Sequence, residues 1–122
     1  MSTTVSDFTT DVWERVDSLE VPRFAELFAE DGTLVFGNGE AMVGPAQIQA
    51  GVEGFFTTIK ALHHTVKNEW QSGDTTVIEL DVAYDRLDGK TVSIPVVSIW
   101  DRGPDGLFTD YRVFFDLAPV YA

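Results

Sequence analysis

Apolar residues recur at Val5, Phe8, Val12, Val16 and Leu19, spacings of three and four that predict an amphipathic helix over residues 5–19. Ser2, Thr3 and Thr4 offer caps for it, and Asp7 and Asp11 suit the positive end of its dipole. Pro22 fits the first turn of a short second helix that carries Phe24, Leu27 and Phe28 and ends at Asp31 and Gly32. Thr33 to Phe36 predicts a short strand, and Asn38 with Gly39 a turn. Gly44 and Pro45 open a third helix whose buried stripe is Ile48, Val52, Phe55, Phe56 and Ile59.

From there the period changes to two. Between Leu62 and Trp70, the residues His64, Val66, Asn68 and Trp70 alternate with His63, Thr65, Lys67 and Glu69, and the first set is the expected inward face. Gly73 and Asp74 turn the chain into a second strand, Thr75 to Tyr84, and Asp88 with Gly89 turns it again. A long hairpin follows, Lys90 to Trp100 and Leu107 to Leu117, around the turn residues Asp101 to Gly106. Neither strand of this hairpin is polar on either face, so helices are expected to cover one side and a sheet or a second subunit the other. The element order ααβαββββ implies one α+β domain over residues 1–122, a curved antiparallel sheet wrapped around three N-terminal helices and enclosing a cavity.

Composition narrows the partners. Twenty acidic against eight basic residues give a formal charge of −12, which repels nucleic-acid phosphates and anionic lipid headgroups. The chain has no cysteine, so it carries no disulfide, thiolate nucleophile or thiolate-bound metal. Met1 to Asp7 lacks the charged flank and apolar run of a secretion signal, no apolar run reaches membrane-spanning length, and a cytoplasmic protein is expected.

Several motifs in sequence carry a resemblance: Phe28-Ala29-Glu30-Asp31-Gly32-Thr33, Gly44-Pro45 with Ile48, Gly89-Lys90-Thr91-Val92 with Pro95, and Asp105-Gly106 leading to Tyr111, Arg112 and Asp116. In this order, over nearly the whole chain, they resemble the nuclear transport factor two-like superfamily. Its cone-shaped fold is shared by ketosteroid isomerases, limonene epoxide hydrolases, scytalone dehydratases and SnoaL-like polyketide cyclases. The resemblance implies a deep, mostly apolar pocket between helices and sheet, a small hydrophobic ligand, no cofactor, and a homodimer packed through the outer sheet face. The polar positions of the ketosteroid isomerases fall near Phe36, Val12 and Val97, all apolar, so that mechanism is absent. Those of the limonene epoxide hydrolases fall near Glu79, Asp81 and Val113, where one of three residues survives. SnoaL-like relatives place a carboxylate or histidine in the same pocket at varying positions.

Three residues are candidate catalysts. His64, beside Val66 and Trp70 on one face, offers an imidazole able to move a proton near neutral pH, or a core histidine satisfied by hydrogen bonds. Asp81 inherits the hydrolase-like position. A carboxylate among apolar walls is a general acid or base, yet Ile78, Leu80, Val82 and Tyr84 form the more apolar face of that strand and leave Asp81 with Glu79 and Asp85 on the other. Tyr111 shares a face with Val113 and Phe115 that the family register turns inward, where a phenol donates to a carbonyl or oxyanion. Asp110, Arg112 and Asp116 fall opposite and suit ion pairs, Asp116 also matching the late carboxylate of SnoaL-like cyclases. Phe36, Phe56, Val97, Ile99, Trp100 and Val113 are read as pocket wall or core. His63 points away from His64 on a strand, which argues against a shared metal.

Together these imply a cofactor-free isomerase, cyclase or dehydratase acting on a hydrophobic, oxygen-bearing molecule, with His64 or Asp81 moving the proton and Tyr111 steadying the oxygen. The rivals are a ligand-binding or accessory protein on the same cone, and a dimerisation module with a filled cavity.

Overall fold

The computed structural model describes residues 5–122. The caps expected from Ser2, Thr3 and Thr4 lie outside the described residues. Helix α1, Asp7–Asp17, is capped instead by Ser6, whose hydroxyl accepts from the Thr9 N–H. Helix α2, Val21–Ala25, follows, then strands β1, Phe28–Phe36, and β2, Met42–Val43, and helix α3, Gly44–Phe56. The sheet continues as β3, Ala61–Ser72, β4, Thr75–Asp85, β5, Thr91–Arg102, and β6, Phe108–Phe114, before a final turn of helix, α4, Ala118–Tyr121. The α+β class and the three helices before the long strands match the expectation; β2 and α4 are additional. No helix among the described residues is long and apolar enough to cross a membrane.

The six strands form one sheet in the order β2-β1-β6-β5-β4-β3, antiparallel except where β1 runs parallel to β6. Its central ladder is regular: Ile78, Leu80, Val82 and Tyr84 of β4 pair with Ser98, Val96, Ile94 and Val92 of β5, and all but Val92 of these are buried. This concave face meets Val12 and Trp13 of α1, Phe24 of α2 and Ile48 of α3 in one core. Trp100 lies at its centre, in ring contact with Phe8, Trp13, Phe108 and Tyr111.

Four local departures from the expected pattern matter for the site. The second helix stops at Ala25 and β1 begins at Phe28, because the register between β1 and β6 is broken over Ala29 to Gly32. That bulge brings Gly32 so close to β6 that a Cβ there would sit 2.5 Å from the Phe108 carbonyl oxygen. Leu19 leaves the α1 stripe: it adopts φ 62° beyond the helix end and is exposed, while Trp13 joins the buried face. Ile59 is buried in the loop after α3 rather than on it. Finally, β3 carries a bulge at Lys67: Val66 pairs with Leu80, but Asn68 pairs with Glu79. One extra residue reverses the facing of everything after it. Asn68 and Trp70, expected inward, therefore lie on the outer face, where Trp70 is 53% exposed and the Asn68 amide donates to Glu79 at 2.7 Å.

Candidate active site

Between the concave face and the helices lies a cavity of about 70 Å³. Rings from Trp13, Phe24, Phe36, Phe55 and Phe56 dominate its wall, and its polar groups are His64, Tyr84, Ser98 and Tyr111.

The chemistry concentrates at His64, whose side chain is only 9% exposed. The Asp17 carboxylate accepts from the ring Nδ1 at 2.5 Å and, through its other oxygen, from the His64 backbone N–H at 3.0 Å. β3 is an edge strand, so this carboxylate occupies an edge donor that no neighbouring strand reaches. With Nδ1 donating to a carboxylate, the neutral ring carries its lone pair on Nε2. Nε2 has no partner among the described residues. On its flat side the imidazole stacks on Trp13, with ring centroids 4.3 Å apart and planes within 5°.

Trp13 and Asp17 are four residues apart and so project from the same side of α1. One face of one helix thus grips both the plane and the edge of the imidazole. Asp17 was missed in reading the sequence, although a signal existed: an acid in the last turn of a helix opposes the dipole, where bases are favoured. A carboxylate held there needs a donor from elsewhere in the fold.

The structure sorts the other expected site residues. Tyr111 lines the cavity and hydrogen-bonds with Ser98; burial pushes its phenol well above the ordinary tyrosine range, as it does for Tyr84. Both therefore remain protonated donors at any physiological pH. Phe36, Phe56 and Val113 line the cavity. Val97 does not: it pairs with Phe114 and Glu79 on the outer face, while Val96 and Ser98 face inward. Trp100 is fully buried behind the wall, in the core rather than at the cavity surface.

Asp81 is corrected by the same alternation. Its partners are Thr65 and Pro95, its side chain is 40% exposed, and its carboxylate lies 3.6 Å from the Lys67 ammonium. The inward neighbours, Leu80 and Val82, are apolar, so the epoxide hydrolase constellation is not assembled here. Asp116 is spent on the Ala118 N–H that starts α4, and Arg112 pairs with Asp110 at 2.9 Å. His63 is outward as expected, yet its ring still comes within 3.5 Å of Asp17, because Asp17 sits off the strand edge, where both faces can reach it.

The family model for SnoaL-like domains matches residues 8–111. Solved structures with the same fold include a protein of Catenulispora acidiphila with a ketosteroid isomerase-like fold, in complex with trimethylamine: TM-score 0.87 and 21% identity over 96% of this chain and 91% of that one. The epoxide hydrolase/cyclase-like enzyme SalBIII, of pyran ring formation in salinomycin, is similar at TM-score 0.77 and 17% identity, over 88% and 87% of the two chains. ActVI-ORFA of Streptomyces coelicolor is similar at TM-score 0.71 and 24% identity, over 89% and 92%. No curated protein sequence matches the chain. At these identities the structural likeness establishes the fold.

Proposed function

We propose that this chain, which belongs to the family of SnoaL-like domains, binds a hydrophobic, oxygen-bearing small molecule in its cavity and catalyses cofactor-free proton transfer on it. One observation carries this reading: a carboxylate-oriented imidazole abuts a cavity that is otherwise almost entirely apolar. Here Nδ1 is committed to Asp17 and the basic nitrogen is left for a ligand.

In this mechanism Nε2 of His64 takes a proton from the carbon next to a carbonyl; the C–H electron pair moves into the C=C bond of an enolate and the charge onto oxygen. The hydroxyl groups of Tyr111, Tyr84 and Ser98 are the donors available to that oxygen. Asp17 keeps the ring in the required tautomer and, with the face of Trp13, stabilises the positive charge the ring acquires. Return of the proton to another atom of the substrate completes an isomerisation; attack of the enolate carbon on an internal carbonyl breaks that C=O π bond, and its oxygen takes the proton from Nε2, which completes a cyclisation and restores the neutral ring. The dry wall strengthens each of these interactions. The cyclase-like activity of the SalBIII neighbour is consistent with such a step. In the same reading the chain pairs as a homodimer through its outer sheet face.

The test is exchange of the α-protons of small ketones in heavy water, followed by proton NMR. Wild-type protein is expected to accelerate it and His64→Gln to abolish the acceleration; equal rates refute the assignment of the base.

A second reading, a ligand holder without turnover, is favoured by the aromatic wall and by the trimethylamine bound in the Catenulispora neighbour, since aromatic faces attract methylated ammonium groups. An amine retained through purification, with no α-proton exchange, selects that reading.

A further inference from the structure

A buried phenol usually finds a hydrogen-bond partner, but the hydroxyl of Tyr84 meets none among the described residues. We propose that Tyr84 holds the reacting carbonyl oxygen beside His64, that the Ser98–Tyr111 pair holds a second oxygen, and that the ligand therefore carries an oxygen function on either side of an apolar body. The proposal rests on the reading of His64 as the base and narrows its three available donors to one; the separation of the two oxygen sites rests on the sheet register alone.

Tyr84 is 3% exposed and lines the cavity. An unmet hydroxyl at this depth is costly, and an acceptor on a ligand removes that cost. The register puts this hydroxyl group beside the base. His64 of β3 pairs with Val82 of β4, and Tyr84 follows two residues later on the same inward face. Such diagonal neighbours lie about 7–8 Å apart, within reach of an aromatic side chain. Burial raises the Tyr84 phenol most, and Tyr121 and Asp17 add to it. Asp17 is the carboxylate that holds His64.

Tyr111 stands elsewhere. Ser98 pairs with Ile78, six residues back along β4 from Tyr84, and Tyr111 is on the next inward row, paired with Trp100. Between these rows and His64 the sheet gives the cavity wall Val82 and Val96, both apolar. Burial raises the Tyr111 phenol, and Ser98 opposes the rise, as a donor to the phenol oxygen does. The Tyr111 O–H is thereby left to donate to a ligand. The sheet wall thus reads polar, apolar, polar. At the first end Nε2 of His64 takes the α-proton, the C–H pair forms the C=C bond and the carbonyl π pair moves onto oxygen. Tyr84 keeps its own proton and donates to that oxygen.

The experiment reads binding, the carbonyl and turnover separately. Tyr84→Phe keeps the edge-on ring contact with Phe55 and removes a hydroxyl without a protein partner, so it is expected to melt no lower than wild type. Acetophenone labelled with ¹³C at the carbonyl is bound and its C=O stretch followed by infrared difference spectroscopy. The stretch is expected at lower frequency in wild type and in His64→Gln than in Tyr84→Phe, and the α-proton exchange rate at saturating ketone to fall about 10²–10³-fold in Tyr84→Phe. In ligand-observed NMR titrations, 1,4-diacetylbenzene, with a carbonyl at each end of a ring, is expected to bind wild type about fivefold more tightly than acetophenone, and Tyr111→Phe to erase that preference. A stretch unmoved by Tyr84→Phe, or moved as far by Tyr111→Phe, overturns the assignment of Tyr84. Equal binding of the two ketones by wild type overturns the second oxygen site. If wild type exchanges nothing, yet the lowered stretch and the diketone preference persist in both wild type and His64→Gln, the base assignment fails and the two oxygen sites stand.

Discussion

Replacing Asp17 with asparagine isolates what the carboxylate does, because the two side chains have nearly the same shape. Both oxygens of Asp17 accept: one from Nδ1 of His64 at 2.5 Å, the other from the His64 backbone N–H at 3.0 Å. Asparagine has one acceptor and one donor end. If its amine faced the backbone N–H, two donors would oppose each other at a largely buried site, at a cost of about 1–3 kcal/mol. The amide therefore turns its oxygen to the backbone and its amine to the ring. Nδ1 must then accept, the proton moves to Nε2, and the lone pair leaves the cavity. Two hydrogen bonds to a charged acceptor become two neutral ones, a loss of roughly 1–3 kcal/mol in stability, so the variant folds. The proton-transfer rate, deprived of its base, falls by about 10²–10⁴ with little change in KM. Long-range ¹⁵N–¹H correlation spectra report which ring nitrogen bears the proton, and ketone exchange in heavy water reports the rate. An Asp17→Asn protein whose His64 keeps its proton on Nδ1 and whose exchange rate is undiminished would refute the orienting role.

Two further outcomes follow from other features. Burial raises both Tyr84 and Tyr111 above the ordinary 10.0; the unfolded chain loses these protons first as pH rises, so stability is full below pH 10 and declines above it. The slope is about 1.4 kcal/mol per pH unit for each tyrosine, and denaturant melts of wild type and Tyr111→Phe should show the steeper alkaline loss in wild type; parallel curves would contradict it. The proposed homodimer through the outer sheet face, where Phe114 is 50% exposed beside Val97, predicts a light-scattering mass near twice the 13.5 kDa chain and a monomer for Phe114→Asp; a monomeric wild type at micromolar concentration excludes it.

The long-strand half of the fold was legible along the chain, and in one case more legible than the family analogy. Alternation in β4 put Ile78, Leu80, Val82 and Tyr84 on one face and Asp81 on the other, and the register of the sheet agrees. The analogy pointed Asp81 to the pocket, whereas the register puts it on the outer face beside Thr65 and Pro95; a single-residue step along a strand changes everything about a side chain's surroundings. The same sensitivity defeated the alternation itself in β3: the bulge at Lys67 carries no composition signal, and it took Trp70 from the expected interior to the outer face. His64, three residues before the bulge, was unaffected.

Periodicity and turn chemistry, which act over a few residues, were enough to determine the class of fold, the helix and strand order, and the inward face of His64; the facing of Tyr111 came from the family register, and Phe36, Phe56 and Val113 were legible only as wall or core. What only the tertiary structure decided was the partnership that makes His64 a base. Asp17 stands 47 residues before it, and no local pattern couples the last turn of a helix to the edge of a strand that far along the chain. The coupling arises because α1 lays its Trp13 face against β3, and Asp17 on that face meets the outward N–H and the ring of His64.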